Sequence, residues 1–334
     1  MRSWPDLQPI LISRREVDAT RWDQSVQQSL QQIVYAYTWY LDLVCDNWVA
    51  VVWPSAQSYQ VILPLPVRRK YGVSVIQQPL FCQYLGFFYG QTVPDALISE
   101  FFSVFTRAFP YISTYNFHPQ NFTPQLLDCA ETHGLTINTL YTHQLSLTQP
   151  YESIAESYKK DRKTNLRRSR RYGWRVKASE DIIPLIDLFK QNHAQQVSGG
   201  VDPKAYELLS AVFDKCRIHA QADLWYAGLD NLHAGILIVR TGAFAVYLFN
   251  AADAVGRKGE ARSLMLDRFF AENSGGQITF DFESPAEPNI VSFYKSFNAT
   301  DVPFLAISRN ALPFPFRQIQ NFKKRLAALR TLGL

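Results

Sequence analysis

The chain has 334 residues, 47% of them hydrophobic and 19% charged, and its 34 Lys and Arg against 29 Asp and Glu leave a net charge of +5. This composition excludes a disordered or collagen-like chain, and the length suits two globular domains at about 100 to 200 residues each. No stretch approaches the roughly 18 uninterrupted apolar residues of a membrane span and no apolar run near the start suits a signal peptide, so a cytoplasmic chain with no transmembrane segment is expected.

In chain order, residues 17–33 have the apolar spacing of a helix, with Trp22, Val26, Leu30 and Ile33 forming one stripe and Asp18 or Thr20 as cap. Three β-rich runs follow at 41–45, 48–53 and 59–65, with Asp46-Asn47 supplying turn chemistry between the first two. A helix at 95–108, a strand at 111–117, a helix at 124–132 and a strand at 135–147 complete one mixed α/β unit. Pro150 suits the first turn of a helix and sets a domain boundary at 149/150. Helices at 151–172, 181–195 and 203–216 come next, then strands at 222–227, 234–240 and 243–249, a helix at 259–273, a strand at 277–283, a helix at 288–297 and a strand at 303–308. The expected organisation is therefore an α/β fold with mixed sheets, divided into residues 1–149, residues 150–312 and a basic helix at 313–334 that includes Arg317, Lys323, Lys324, Arg325 and Arg330.

Charge is unevenly placed. Residues 159–177 hold ten cations, among them Arg167, Arg168, Arg170 and Arg171, against the single acid Asp161, so the rest of the chain is net acidic. Such a segment suits a polyanion: a tRNA backbone, a nucleotide pyrophosphate or anionic lipid. Some of these cations also complement the dipole of their own helix.

Three segments carry a family resemblance. The strand, loop and helix at 243–273 match the order of parts in the central element of the GNAT acyltransferase fold, whose loop of the form Q/R-x-x-G-x-G/A opens a helix that binds the pyrophosphate of coenzyme A. Here the loop reads Gly256-Arg257-Lys258-Gly259-Glu260-Ala261, with Gly256 in place of Gln or Arg. FDFESPAEPNIVSFYKSFNAT, residues 280–300, resembles the C-terminal motif of GNAT domains and of FemAB-type tandem acyltransferases, with Asn298 where glycine is usual. Asn tolerates the left-handed backbone that ends a helix. The basic segment closed by Gly173 and followed by a strand is similar to one found at this place in FemAB-like proteins.

The resemblance implies two consecutive GNAT-like domains, the second holding the active site and the first binding substrate or serving as a structural partner. It implies transfer of an acyl or aminoacyl group to a small-molecule or peptide-like amine, with acyl-CoA or aminoacyl-tRNA as co-substrate and no metal. Tyr294 would protonate the leaving group, or else only pack in the core. Lys295 would stabilise negative charge or stay solvated. Gly256, Arg257, Lys258, Gly259 and Ala261 would hold the donor phosphates, and Tyr247 and Asn250 would approach the same cleft. Period-two alternation along 277–283 puts Asp281 and Glu283 on one face, opposite Phe280 and Phe282, where they meet either an amine or water.

Other chemistries leave no trace. No GxSxG, HExxH or Walker A motif occurs, the histidines are scattered, and the cysteines Cys45, Cys82, Cys129 and Cys216 stand 37, 47 and 87 residues apart, too far for CxxC or zinc spacing. The alternative to an enzyme is a non-catalytic polyanion- or nucleotide-binding module that keeps the GNAT fold.

Overall fold

The computed structural model describes residues 8–70, 72–197, 199–283, 287–318 and 320. The chain forms two compact units, one of residues 1–31, 35–140 and 304–334, the other of residues 32–34 and 141–303. The boundary expected at 149/150 therefore falls earlier, and residues beyond 303 return to the first unit. Most of the basic helix expected at 313–334, with Lys323, Lys324, Arg325 and Arg330, lies outside the described residues.

The first unit contains strand β1 (Ile10–Ser13), helices α1 (Ala19–Gln28) and α2 (Thr38–Val44), strands β2 (Asn47–Ser55), β3 (Ser58–Lys70), β4 (Val73–Gln77) and β5 (Phe88–Tyr89), helix α3 (Asp95–Ala108), strand β6 (Tyr111–Asn116) and helix α4 (Pro124–Thr132). β1 to β4 form an antiparallel meander, β4 runs parallel to β6, and β6 pairs antiparallel with residues 306–310 of the last strand. Asp18 caps α1 by accepting from the Arg21 N–H, and Trp22 and Val26 are buried as expected. The helix stops short of Leu30, which is 59% exposed, because the Leu30 N–H donates to the Tyr89 carbonyl instead of an intrahelical partner.

The run at 41–45, expected as a strand, belongs to α2. Its first turn is held by Asp23, whose carboxylate accepts from the Thr38 N–H at 2.7 Å and the Thr38 hydroxyl at 3.0 Å. A carboxylate on the free N–H groups of a helix start outweighs the β preference of a short apolar run.

The second unit takes in the end of β7 (Thr136–Ser146), helices α5 (Tyr151–Ser157) and α6 (Lys160–Arg171), strand β8 (Arg175–Ala178), helices α7 (Ile183–Asn192) and α8 (Pro203–His219), strands β9 (Gln221–Gly228), β10 (Leu232–Thr241) and β11 (Phe244–Ala252), helices α9 (Ala254–Lys258) and α10 (Ala261–Asn273), strand β12 (Thr279–Asp281), helix α11 (Pro288–Lys295) and the start of β13 (Thr300–Asn310). β8 to β11 form an antiparallel meander, β11 runs parallel to β12, and β12 pairs antiparallel with β7. This is the strand logic of the first unit repeated. Its core is aromatic: Phe269, Phe270, Phe280, Phe282 and Phe297 are each about 1% exposed or less, and burying each ring contributes on the order of 2–3 kcal/mol.

Candidate functional site

The parallel register of β11 and β12 runs from Phe244↔Thr279 to Val246↔Asp281 and ends there, although β11 continues to Ala252. The strands part beyond that pair. In the first unit the corresponding parallel strands are followed by further bonds: Gln78 N–H to the Thr114 carbonyl, Leu85 N–H to the Asn116 carbonyl and His118 N–H to the Leu85 carbonyl. In the second unit Tyr247 and Asn250 lie on β11 past the last pair, and Phe282 and Glu283 follow β12.

Tyr294, on α11, is 6% exposed, with its ring 4.5 Å from that of Phe282 and 6.4 Å, edge-on, from that of Tyr247. Burial pushes its phenol up from 10.0 to about 12, with the Arg262 charge opposing and Glu283 and Asp281 adding to the shift. Burial raises Tyr247 further, again opposed by Arg262. The enclosed Tyr247 hydroxyl has no hydrogen-bond partner among the described residues. Arg262, in the first turn of α10, donates from Nη1 to Asn250 Oδ1 at 2.6 Å, and its guanidinium carbon lies 5.9 Å from the centre of the Phe293 ring. The structure thus brings together the expected Tyr247, Asn250 and Tyr294, and adds Arg262.

The two carboxylates do not share a strand face. Asp281 is fully buried and accepts from Thr142 Oγ1 at 2.5 Å, Gln144 Nε2 at 2.8 Å and the Glu283 N–H at 2.8 Å. Glu283 adopts a left-handed φ of 47° beyond the end of β12, which breaks the alternation. Asp281 is thereby a saturated anchor, while Glu283 is half-buried. Lys295 is engaged at the surface: Nζ lies 2.6 Å from Asp301 Oδ2, and the other oxygen of Asp301 lies 2.9 Å from His143 Nε2. The Lys295 hydrogen bond, foremost, holds the Asp301 carboxyl below its usual range.

The loop at 256–261 has glycines for reasons internal to the fold. The helix expected at 259–273 is divided, with Glu260 in a left-handed conformation between α9 and α10. A Cβ on Gly256 would collide with the His233 carbonyl, and one on Gly259 with the Trp174 indole, whose Nε1 donates to the Gly259 carbonyl at 2.8 Å. The space read as room for phosphates at Gly259 is filled by Trp174. Arg257 donates to the Ala252 carbonyl at 2.6 Å, Lys258 is exposed and Ala261 is buried. Ser263 Oγ donates to Glu260 Oε2 at 2.6 Å, so a carboxylate of the chain itself stands beside the start of α10.

The basic segment is also divided, between α5 and α6, because Tyr158 is buried with its ring edge-on to Phe297 and the Lys159 N–H donates to the Ser296 carbonyl. Within α6, Arg162 is 3% exposed. It donates from Nε to Ser296 Oγ at 2.9 Å and from Nη1 to Glu260 Oε2 at 2.9 Å and to Ser263 Oγ, its guanidinium 4.4 Å from the centres of both Phe293 and Phe297. Of the four arginines expected to face a polyanion, Arg170 is clasped by buried Asp267 at 2.9 Å and Arg168 lies 3.6 Å from Glu260. Arg167 and Arg171 are exposed, and among the described residues Arg167 bonds only to the Lys163 carbonyl of its own helix.

Arg262 is not marked out by the sequence, and Arg162, one of the ten cations expected to face a polyanion, is instead buried and paired with Glu260. The four-residue steps 158, 162 and 166 place Arg162 on the buried stripe of the basic segment, and that spacing was the available signal. Arg262 has only its position after the small residue Ala261.

Among the described residues no group of His, Cys, Asp and Glu is arranged to hold a metal ion, and no helix is long and apolar enough to cross a membrane. No family model and no curated protein matches the sequence. Solved structures match in fold. FemX is 12% identical with a TM-score of 0.62, the match covering 91% of this chain and 98% of that one. A tandem GNAT protein from the clavulanic acid biosynthesis pathway is 10% identical with a TM-score of 0.53, covering 92% and 99%. A chain described as the C-terminal domain of a lysylphosphatidylglycerol synthetase from Agrobacterium fabrum is 12% identical with a TM-score of 0.50, covering 88% and 91%. The fold is that of FemAB-like tandem GNAT proteins, two GNAT-like units in one chain.

Proposed function

We propose that this chain is a transferase whose second unit moves an acyl or aminoacyl group onto an amine. The observation that carries the reading is the cluster of Tyr247, Asn250, Arg262 and Tyr294 where β11 and β12 part. A phenol raised to about 12 keeps its proton at neutral pH and suits a general acid. In the proposed step the amine nitrogen attacks the donor carbonyl carbon, the bond from that carbon to the leaving sulfur or oxygen breaks, and the leaving atom takes the Tyr294 proton. Glu283 receives the amine proton. Asp281, held by Thr142 and Gln144, positions Glu283 through its backbone N–H.

Between the two donors, the surroundings of α10 favour aminoacyl-tRNA. Trp174 fills the space at Gly259, and the Glu260 carboxylate already takes the donors beside the start of α10, Ser263 Oγ and the Arg162 guanidinium. Arg167 and Arg171 offer exposed charge to a phosphate backbone. The first unit, whose parallel strands are followed by further backbone bonds, serves as substrate-binding or structural partner. The setting we propose is the cytoplasm, which suits four free cysteines.

Thermal shift with acetyl-CoA, aminoacyl-tRNA and uncharged tRNA, followed by transfer assays on an amine, tests the reading. Selective stabilisation by aminoacyl-tRNA with transfer supports it. Stabilisation by acetyl-CoA alone reverses the donor choice, and tRNA binding without any transfer leaves a polyanion-binding module.

A further inference from the structure

Arg262 is a half-buried arginine that forms no ion pair with a carboxylate among the described residues; its one hydrogen bond goes to the neutral amide of Asn250. A guanidinium offers five donors in a planar fork, and a carboxylate is the group that fork fits best. The other cations of this region contrast with it: Arg162 is matched by Glu260, Arg170 by Asp267 and Lys295 by Asp301. The second observation is independent of the first. Tyr247, 4% exposed, keeps its hydroxyl enclosed with no partner among the described residues, a costly arrangement in an aromatic core where Phe would fit. The Tyr247 and Tyr294 rings lie 6.4 Å apart and Arg262 bonds to Asn250, three residues along β11 from Tyr247, so three donor groups share one locality.

We infer that Arg262 and Tyr247 bind a carboxylate of the amine acceptor, which makes the acceptor an amino acid or peptide and not a simple amine. The assignment rests on the transferase reading and narrows its substrate class. Glu283, just past the end of β12, then meets the acceptor's ammonium group, so the site recognises both charges of a zwitterion.

The probes are the dipeptide Ala-Ala, its C-terminal amide and inorganic phosphate, each titrated into the full-length protein by calorimetry at millimolar concentration. Ala-Ala is expected to bind and the amide to bind roughly tenfold to a hundredfold more weakly. Arg262→Gln and Tyr247→Phe should each remove that preference. Tyr247→Phe should do so with melting temperature unchanged or raised, because it deletes an unsatisfied hydroxyl; this keeps the test sound should Arg262→Gln disturb the fold. Equal binding of dipeptide and amide, no dipeptide binding, or binding of phosphate alone through Arg262 overturns the inference. Transfer to the amide at the dipeptide's rate also overturns it while leaving the transferase reading intact, whereas carboxylate-selective binding without transfer does the reverse.

Discussion

Tyr294 carries the sharpest single-residue expectation. Its phenol is raised from 10.0 to about 12 by burial, so Tyr294→Phe should lower kcat roughly a hundredfold or more while leaving KM nearly unchanged, as loss of a general acid does. Steady-state kinetics with an aminoacyl-tRNA donor decides this. Unchanged kcat would make the ring a packing element only. The same shift has a stability consequence. A folded-state value above the unfolded one means that the fold holds the proton more tightly. The associated stability, on the order of 2–3 kcal/mol, is complete below pH about 10 and is lost as pH rises through about 12. The Phe variant should lack that part of the alkaline loss when urea midpoints are compared across this range. Tyr294 was readable from sequence because its motif is local, and so was Asn298, whose φ of 65° is the left-handed turn its place after the helix demands. Arg262 and Arg162 were not, because whether an arginine meets a partner or a gap is decided by strands and helices distant in sequence.

At the scale of elements, the basic segment and the glycine loop behave differently from a solvated helix and a phosphate cradle. Gly259→Ala should destabilise by about 1–3 kcal/mol, because its Cβ meets the Trp174 ring. In a Trp174→Ala background the same change should cost much less, and a double-mutant cycle on thermal unfolding measures the coupling. Additive costs would mean that Gly259 is required for some other reason. The arginines of α6 should likewise divide into two classes. Arg167→Gln with Arg171→Gln should weaken tRNA binding and flatten its salt dependence by about two phosphate contacts, with stability little changed. Arg170→Gln should chiefly destabilise, since it leaves buried Asp267 without its cation. Filter binding at several salt concentrations, set beside melting curves, separates the two classes. Most elements were legible from periodicity, α3 and α4 to the residue. The divisions at Tyr158 and Glu260 were not, because each is imposed by a tertiary contact or backbone turn that leaves the apolar spacing intact.

For the whole molecule, the repeated strand plan was visible as an order of helices and strands, but the membership of the units was not. Strand periodicity says which residues alternate and nothing about which sheet they enter, so a cut after the strand at 135–147 looked natural. In the structure Gln144, Leu145 and Ser146 pair with Asp281, Phe280 and Thr279, and Thr142 and Gln144 supply two of the donors that hold buried Asp281. A fragment of residues 150–334 would leave Asp281 enclosed without its Thr142 and Gln144 donors, at about 1–3 kcal/mol for each lost partner of a charged group. It would also strip one edge from a strand only three residues long. That loss is a large share of the 5–15 kcal/mol by which domains of ordinary stability fold. The fragment 150–334 is therefore expected to lack a cooperative unfolding transition by circular dichroism, and a fragment of residues 141–334 to regain one. A cooperative transition of equal midpoint in both would show that β7 is dispensable to the second unit and that the boundary at 149/150 was the physical one.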